Sequence, residues 1–222
     1  MTSPLLPDPA VVLSLLAVSS SRRWYTVEDD SVEAFVPRLS ALDPDLRQLD
    51  TSPTSQETNN VSATGIGLHT DGYSEVPDHP SILLLTYSHT VELRVLGIED
   101  VVAAVNRAGG FDVARRLAST EAFVDADITD ERASLLKLSP RGEVIDAVVS
   151  PAATSVASED GPLIDWWVRL WREATPHAPN VPVHAEQTIL IDNRRAAHGR
   201  TGPSRPGLRV RRVWLTPARE NR

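Results

Sequence analysis

His69 and Asp71 stand two residues apart in the stretch Gly65-Ile66-Gly67-Leu68-His69-Thr70-Asp71-Gly72. On an extended strand such residues project from one face, so an imidazole and a carboxylate would lie side by side, which is half of a metal site. A further nitrogen donor, His198, stands far downstream in Ile191-Asp192-Asn193-Arg194-Arg195-Ala196-Ala197-His198-Gly199-Arg200-Thr201 and is followed by an arginine-bearing strand pattern. Two imidazoles and one carboxylate on one face of an octahedral ion leave three positions open, and open positions are what oxygen chemistry requires. Cysteine is absent, which excludes a disulfide framework, a thiolate nucleophile, a sulfur-rich zinc site and an iron-sulfur cluster. Any metal must be held by nitrogen and oxygen.

These donors must be positioned by a core, and 222 residues can bury one. Hydrophobic residues make up 41% and charged residues 23%, ordinary globular usage, so a single domain over residues 1–222 is expected. The formal charge of -8 is unevenly spread: from Arg194 onward there are nine arginines against the single acid Glu220. The first 193 residues therefore hold 13 of the 22 basic and 29 of the 30 acidic groups, and an acidic body of this kind repels a nucleic-acid backbone. The apolar run Val11 to Val18 is too short for a membrane span and no basic region precedes it, so no membrane partner and a cytoplasmic location are expected.

Periodicity and punctuation outline the elements. Helices are expected over Pro9 to Val18 and about Val27 to Leu42, with Asp29 and Asp30 in the first turn of the second, before a loop over Thr51 to Asn60. After the His69 strand, Gly72 to Pro80 is too irregular for regular structure and reads as a mobile rim. The run Ile82 to Tyr87 is continuously apolar, as expected of a strand buried on both faces, and Val91 to Leu96 forms another. Two helices, Ile98 to Ala108 and Phe111 to Ser119, flank Gly109-Gly110, and a hairpin joins Ser134–Leu138 to Glu143–Val149. Leu163, Trp166, Trp167, Leu170, Trp171 and Ala174 recur at helical spacing within Pro162 to Ala174, a stripe read as core. Gln187 to Asp192, Ala196 to Arg200 and Gly207 to Leu215 alternate as strands, which favours an α+β fold with a curled antiparallel sheet.

Taken together, the Gly65 to Gly72 stretch, the buried strand after it and the run Asp192 to Thr201 resemble the Fe(II)/2-oxoglutarate dioxygenases of the taurine dioxygenase and clavaminate synthase type, over approximately Thr64 to Leu215. The resemblance implies a double-stranded β-helix (jelly-roll, cupin-like) core with flanking helices over 61–216, including a helical insert, preceded by a helical and loop segment over 1–60. It makes His69, Asp71 and His198 the catalytic iron ligands, with 2-oxoglutarate as cosubstrate and O2 as oxidant. The family also places an arginine on the strand after the distal histidine to bind the remote carboxylate of 2-oxoglutarate, and the matching position is Arg212, with Arg209 the second choice. A planar fork of donors that never loses its charge suits that task. Arg209 and Arg211 share one strand face and Arg212 takes the other, so only one set can point inward.

There are departures from the family pattern. A Gly-Gly-acid-Thr segment commonly supplies the cosubstrate with a hydroxyl; the corresponding region reads Ser88-His89-Thr90-Val91-Glu92-Leu93, where Thr90 is the candidate. The interval of 129 positions from His69 to His198 is shorter than in the larger members, which implies a reduced active-site lid. The resemblance implies oxidation of an unactivated C–H bond of a small molecule, by hydroxylation or oxidative ring closure, in a setting such as bacterial natural-product (antibiotic) biosynthesis. Halogenation is disfavoured, because halogenating relatives replace the carboxylate ligand and Asp71 is present. Tyr73, Glu75, Asp78 and His79 follow the metal pair, and their acids would suit a cationic amino acid or an aminated sugar. A non-catalytic jelly-roll binding protein would share the fold without needing three ligands, and a zinc hydrolase would need a general base that no motif places.

Overall fold

The computed structural model describes residues 6–17, 23–27, 32–49, 55–56, 65–72, 80–124, 132–202 and 207–217. In chain order these form α1 (Pro9–Ser14), β1 (Trp24–Val27), α2 (Val32–Leu42), β2 (Leu46–Gln48), β3 (Ser55–Gln56), β4 (Gly65–His69), β5 (Ile82–Tyr87) and β6 (Val91–Gly97). There follow α3 (Ile98–Arg107), α4 (Phe111–Ser119), β7 (Glu121–Phe123), β8 (Arg132–Ser134), β9 (Leu136–Leu138), β10 (Val144–Ala147), β11 (Thr154–Ser155) and α5 (Gly161–Ala174). The last four strands are β12 (Asn180–Val183), β13 (Thr188–Asp192), β14 (Ala196–Thr201) and β15 (Arg209–Pro217).

Two antiparallel sheets carry the site. One runs β1-β13-β5-β15-β2, with β3 also paired to β15; the other runs β12-β6-β14-β4. Strand alternation explains how they stack. Leu83, Leu85, Ile189, Ile191, Val210 and Trp214 of the first sheet pack with Leu93, Val95, Val181, Val183 and Ala196 of the second in one buried cluster. The opposite faces are covered by helices. Leu84, Val213 and Leu215 meet Phe35, Val36 and Leu39 of α2, while Leu68, Leu96 and Ala197 join α3, α4 and α5 in the largest core. The tryptophan stripe of α5 is buried there as expected. This is a mixed helix and sheet fold with antiparallel sheets.

Several expectations shift. The helix predicted over about Val27 to Leu42 is seen over Val32–Leu42, while Val27 itself ends the strand Trp24–Val27, which pairs with β13 at the edge of its sheet. The first helix stops at Ser14 rather than Val18, and the hairpin is confined to Leu136–Leu138 and Val144–Ala147, turning through Gly142 at φ 81°. Pairing of β14 with β4 sets His198 opposite His69 and then slips, so that Arg200 faces Ile66. Gly199 permits the close approach: a Cβ there would lie 2.5 Å from the Ile66 carbonyl oxygen and 2.8 Å from that of Gly67. Among the described residues no helix is long and apolar enough to cross a membrane.

Candidate metal centre

β4 ends at His69, and Asp71 lies in the bend beyond it rather than on the strand. The bend is fastened from two sides. Thr70 donates its N–H to the Val149 carbonyl at 2.9 Å while its Oγ1 accepts from the Val149 N–H at 3.1 Å. Asn193, fully buried in the turn after β13, accepts from the Asp71 N–H at 3.0 Å and donates to the carbonyls of Asp71 (2.9 Å) and Pro80 (3.1 Å). Those bonds span 122 and 113 positions of sequence, and no local pattern marks Asn193 for them.

So fixed, Asp71 aims one oxygen at both histidines. Its Oδ1 lies 3.3 Å from His69 Nε2 and 3.9 Å from His198 Nε2, and one ligand atom from each of the three residues falls within 4.8 Å of the others. The two rings stand 4.5 Å apart, centroid to centroid. His69 Nδ1 is 2.9 Å from the Gly67 carbonyl oxygen, which can accept an Nδ1 proton, so that a metal ion would displace the proton Nε2 shares with Asp71 and take its lone pair. The other carboxylate oxygen, Oδ2, faces Arg212 Nε at 3.0 Å and accepts from Trp214 Nε1 at 3.4 Å. The arginine contact is one of charge, since the Nε–H is not aligned on the carboxylate as a hydrogen bond.

The electrostatics favour a cation. Burial would push the Asp71 carboxyl up, but the hydrogen bond from His69 and the charges of His198 and Arg212 hold it well below the usual carboxylate range. His198 is pulled down to about 3, first by burial and then by the proximity of His69 and Arg212. Burial also acts to lower His69, yet the hydrogen bond and charge of Asp71 outweigh it and leave its pKa raised. An ionised carboxylate beside a neutral His198 is a donor set that fits a divalent ion.

Of the expected residues, His69, Asp71, His198 and Arg212 come together. Arg212 shares the inward face of β15 with Val210 and Trp214, whereas Arg209 is exposed and bonds through its backbone N–H to Ser88 Oγ at 2.9 Å. Thr90 is exposed in the β5–β6 turn, its hydroxyl accepting from the Ala185 N–H at 3.3 Å. Tyr73, Glu75, Asp78 and His79 lie outside the described residues. The sequence reading missed Asn193 and Trp214 as partners of Asp71. The alternation that selects Arg212 also places Trp214 on its face, so that signal was present.

Asn193→Ala is expected to unfold at lower denaturant concentration, by about 1–3 kcal/mol for each buried backbone group left unpaired, and to bind metal more weakly. Chemical unfolding with an unchanged slope checks the first effect and metal titration the second.

Comparison with known proteins gives fold without close sequence kinship. No protein-family model and no curated protein sequence matches the chain. Among solved structures, PvcB, an Fe, alpha-ketoglutarate dependent oxygenase from an isonitrile synthetic pathway, aligns with TM-score 0.53 and 14% identity over 88% of this chain and 78% of its own. Asparagine oxygenase in complex with Fe(II), 2S,3S-3-hydroxyasparagine and succinate aligns with TM-score 0.52 and 16% identity over 70% and 51%. The non-heme iron oxygenase OrfP, in complex with Fe and L-Arg, gives TM-score 0.52 and 16% identity over 79% and 57%. The chain thus spans little more than half the length of the latter two. The chain shares the fold of these iron oxygenases.

Proposed function

We propose that this protein is an Fe(II)/2-oxoglutarate-dependent oxygenase that oxidises an unactivated C–H bond of a small molecule, by hydroxylation or oxidative ring closure. The observation that carries the reading is the convergence of His69 Nε2, His198 Nε2 and Asp71 Oδ1, with Arg212 beside them on the inward face. The two stacked antiparallel sheets read as a double-stranded β-helix, with the three ligands on the strand and bend of one sheet and the arginine on the other. A non-catalytic binding protein of this fold would have no need of such a donor set.

His69, Asp71 and His198 would hold the iron, which together with 2-oxoglutarate and dioxygen supplies the oxidation, leaving succinate and carbon dioxide as by-products. The chain's task is positioning. Asn193 and Thr70 lock the bend, Trp214 and Arg212 occupy Asp71 Oδ2, and Oδ1 is thereby kept toward the histidines. Arg212 meets Asp71 through Nε, and its partly exposed side chain leaves the terminal nitrogens for the remote carboxylate of 2-oxoglutarate. Substrate is read as an amino acid or related small molecule, because asparagine oxygenase and OrfP are seen with 3-hydroxyasparagine and L-Arg. A cationic amino acid or aminated sugar suits the acids after Asp71, and natural-product biosynthesis suits the likeness to PvcB.

Anaerobic addition of 2-oxoglutarate to the iron-loaded protein should produce a visible charge-transfer band, and admission of oxygen should yield succinate. Arg212→Ala is expected to weaken 2-oxoglutarate binding roughly 10- to 100-fold, the worth of a charge-assisted carboxylate contact, while Arg209→Ala leaves it unchanged. Equal losses in both variants, measured by titrating the band, would remove Arg212 from the role.

A further inference from the structure

The turn that carries Asn193 is fastened from outside the metal cluster. Asp192 donates its N–H to the Arg23 carbonyl at 2.9 Å, Asn193 donates its own to the Ser81 carbonyl at 3.0 Å, and Arg195 donates back to the Asp192 carbonyl at 3.1 Å. The Arg194 carbonyl accepts from the Ala147 N–H at 3.0 Å, and that of Arg195 from the N–H of Ile98, the first residue of α3, at 2.8 Å. Each residue from 192 to 195 is thus tied through its backbone to another part of the chain.

One carboxylate closes this frame. Glu99, next to Ile98 in the first turn of α3, accepts side-on from Arg23, with Nε to Oε1 at 3.0 Å and Nη2 to Oε2 at 2.6 Å, and also from Arg195 Nη2 at 3.0 Å. The bonds form a ring: Glu99 to the Arg195 guanidinium, the Arg195 N–H to the Asp192 carbonyl, the Asp192 N–H to the Arg23 carbonyl, and the Arg23 guanidinium back to Glu99. The paired grip of an arginine on a carboxylate fixes direction as well as distance. α3 is a firm abutment for it, since Ile98, Val101 and Val105 are buried in the largest core. Burial raises the pKa of Asp192, and the charges of Arg195 and Arg23 act against it, so this carboxyl feels both arginines. With the charge of Glu99 removed, the two guanidiniums would be drawn toward Asp192, which belongs to the turn itself. A pull there shifts the neighbouring Asn193 amide, which holds both the N–H and the carbonyl of Asp71.

We infer that Glu99 is a positioning residue for the metal centre: by bridging Arg23 and Arg195 it sets the turn from which Asn193 fixes Asp71. The inference rests on the reading of His69, Asp71 and His198 as metal ligands. It is tested by anaerobic calorimetric titration of ferrous iron into the metal-free full chain, beside urea unfolding of the same samples.

Glu99→Gln, which keeps the size of the side chain and removes its charge, is expected to weaken iron binding about 5- to 10-fold, less than the roughly 10–100-fold of a partner bonded directly to a ligand. Arg195→Gln should do the same, and the double variant should lose little more than either alone, because the ring acts as one unit. Arg195→Gln leaves the pair of Arg23 and Glu99 intact, so the test survives should Glu99→Gln fail to fold. Arg116→Gln is the control: it breaks an ion pair with Asp160 of similar exposure, and should lower the urea midpoint while leaving iron affinity unchanged. In the Asn193→Ala background the effect of Glu99→Gln on iron affinity should vanish, since the link to Asp71 is already cut. Iron affinity untouched by Glu99→Gln and Arg195→Gln, an equal loss in Arg116→Gln, or an equal effect of Glu99→Gln with and without Asn193 overturns the inference and leaves Glu99 a stabilising ion pair only. Failure of the unaltered protein to bind iron overturns the metal reading and the inference with it.

Discussion

Asp71→Ala is expected to abolish succinate formation and to weaken ferrous iron binding by more than about 100-fold, since loss of a mere outer-shell partner already costs roughly 10–100-fold. Asp71 Oδ1 is the atom both histidines face, and two neutral imidazoles alone cannot offset the charge of a divalent ion. The fold should survive. Arg212 loses its partner, but its side chain is 37% exposed, so water screens the loss and the cost lies nearer ~1 kcal/mol than the ~3–5 kcal/mol of a fully buried pair. With the carboxylate gone, the hydrogen bond and charge that raise His69 are removed, and a neutral imidazole pair becomes easier to bury. Iron titration by the 2-oxoglutarate band, beside urea unfolding of the metal-free protein, separates these effects. A folded variant that still develops the band would refute Asp71 as a ligand.

Trp167→Ala is expected to lower stability by about 3–5 kcal/mol, the loss typical of a large aromatic removed from a packed core. Trp167 is fully buried in the cluster formed by α3, α4 and α5, and its ring meets Trp171 edge to face at 5.4 Å and 84°. Its Nε1 also donates to the Val148 carbonyl at 3.4 Å, the residue before the Val149 that brackets Thr70. The cavity would thus open beside the strap that holds the Asp71 bend, and metal affinity should fall together with stability. Against a typical domain stability of about 5–15 kcal/mol, such a loss is large. Equilibrium urea unfolding measures it, and a loss below about 1 kcal/mol would contradict the packing described. Trp167→Phe, which keeps most of the ring, should fall between.

Elements with strong local signals were legible. The α5 stripe, the apolar β5 and the two helices around Gly109-Gly110 follow from periodicity and punctuation, and each lies where expected to within two residues. Short or edge strands were not. β12 carries Pro182, which argues against a strand except at an edge, and β12 is the edge of its sheet. β1 goes unmarked in the sequence, and its last residue, Val27, reads as the start of a helix, because four residues carry too little pattern to reveal the partner that β13 offers.

The sequence by itself determined the chemistry available: a sulfur-free donor set of two histidines and an aspartate, an always-charged arginine downstream, and the helical and strand periods that build a core around them. Tertiary structure decided which atoms meet. Pairing of β14 with β4 sets His198 opposite His69 across 129 residues, and a slip of one residue would turn either ring to the other face of its strand. The stacking of the two sheets gave Asp71 Oδ2 to Arg212 and Trp214, left Arg209 outside, and used Asn193 to hold the bend. Spacing along a chain fixes which side chains share a local face, but a contact between distant elements depends on register and packing, which no short stretch encodes.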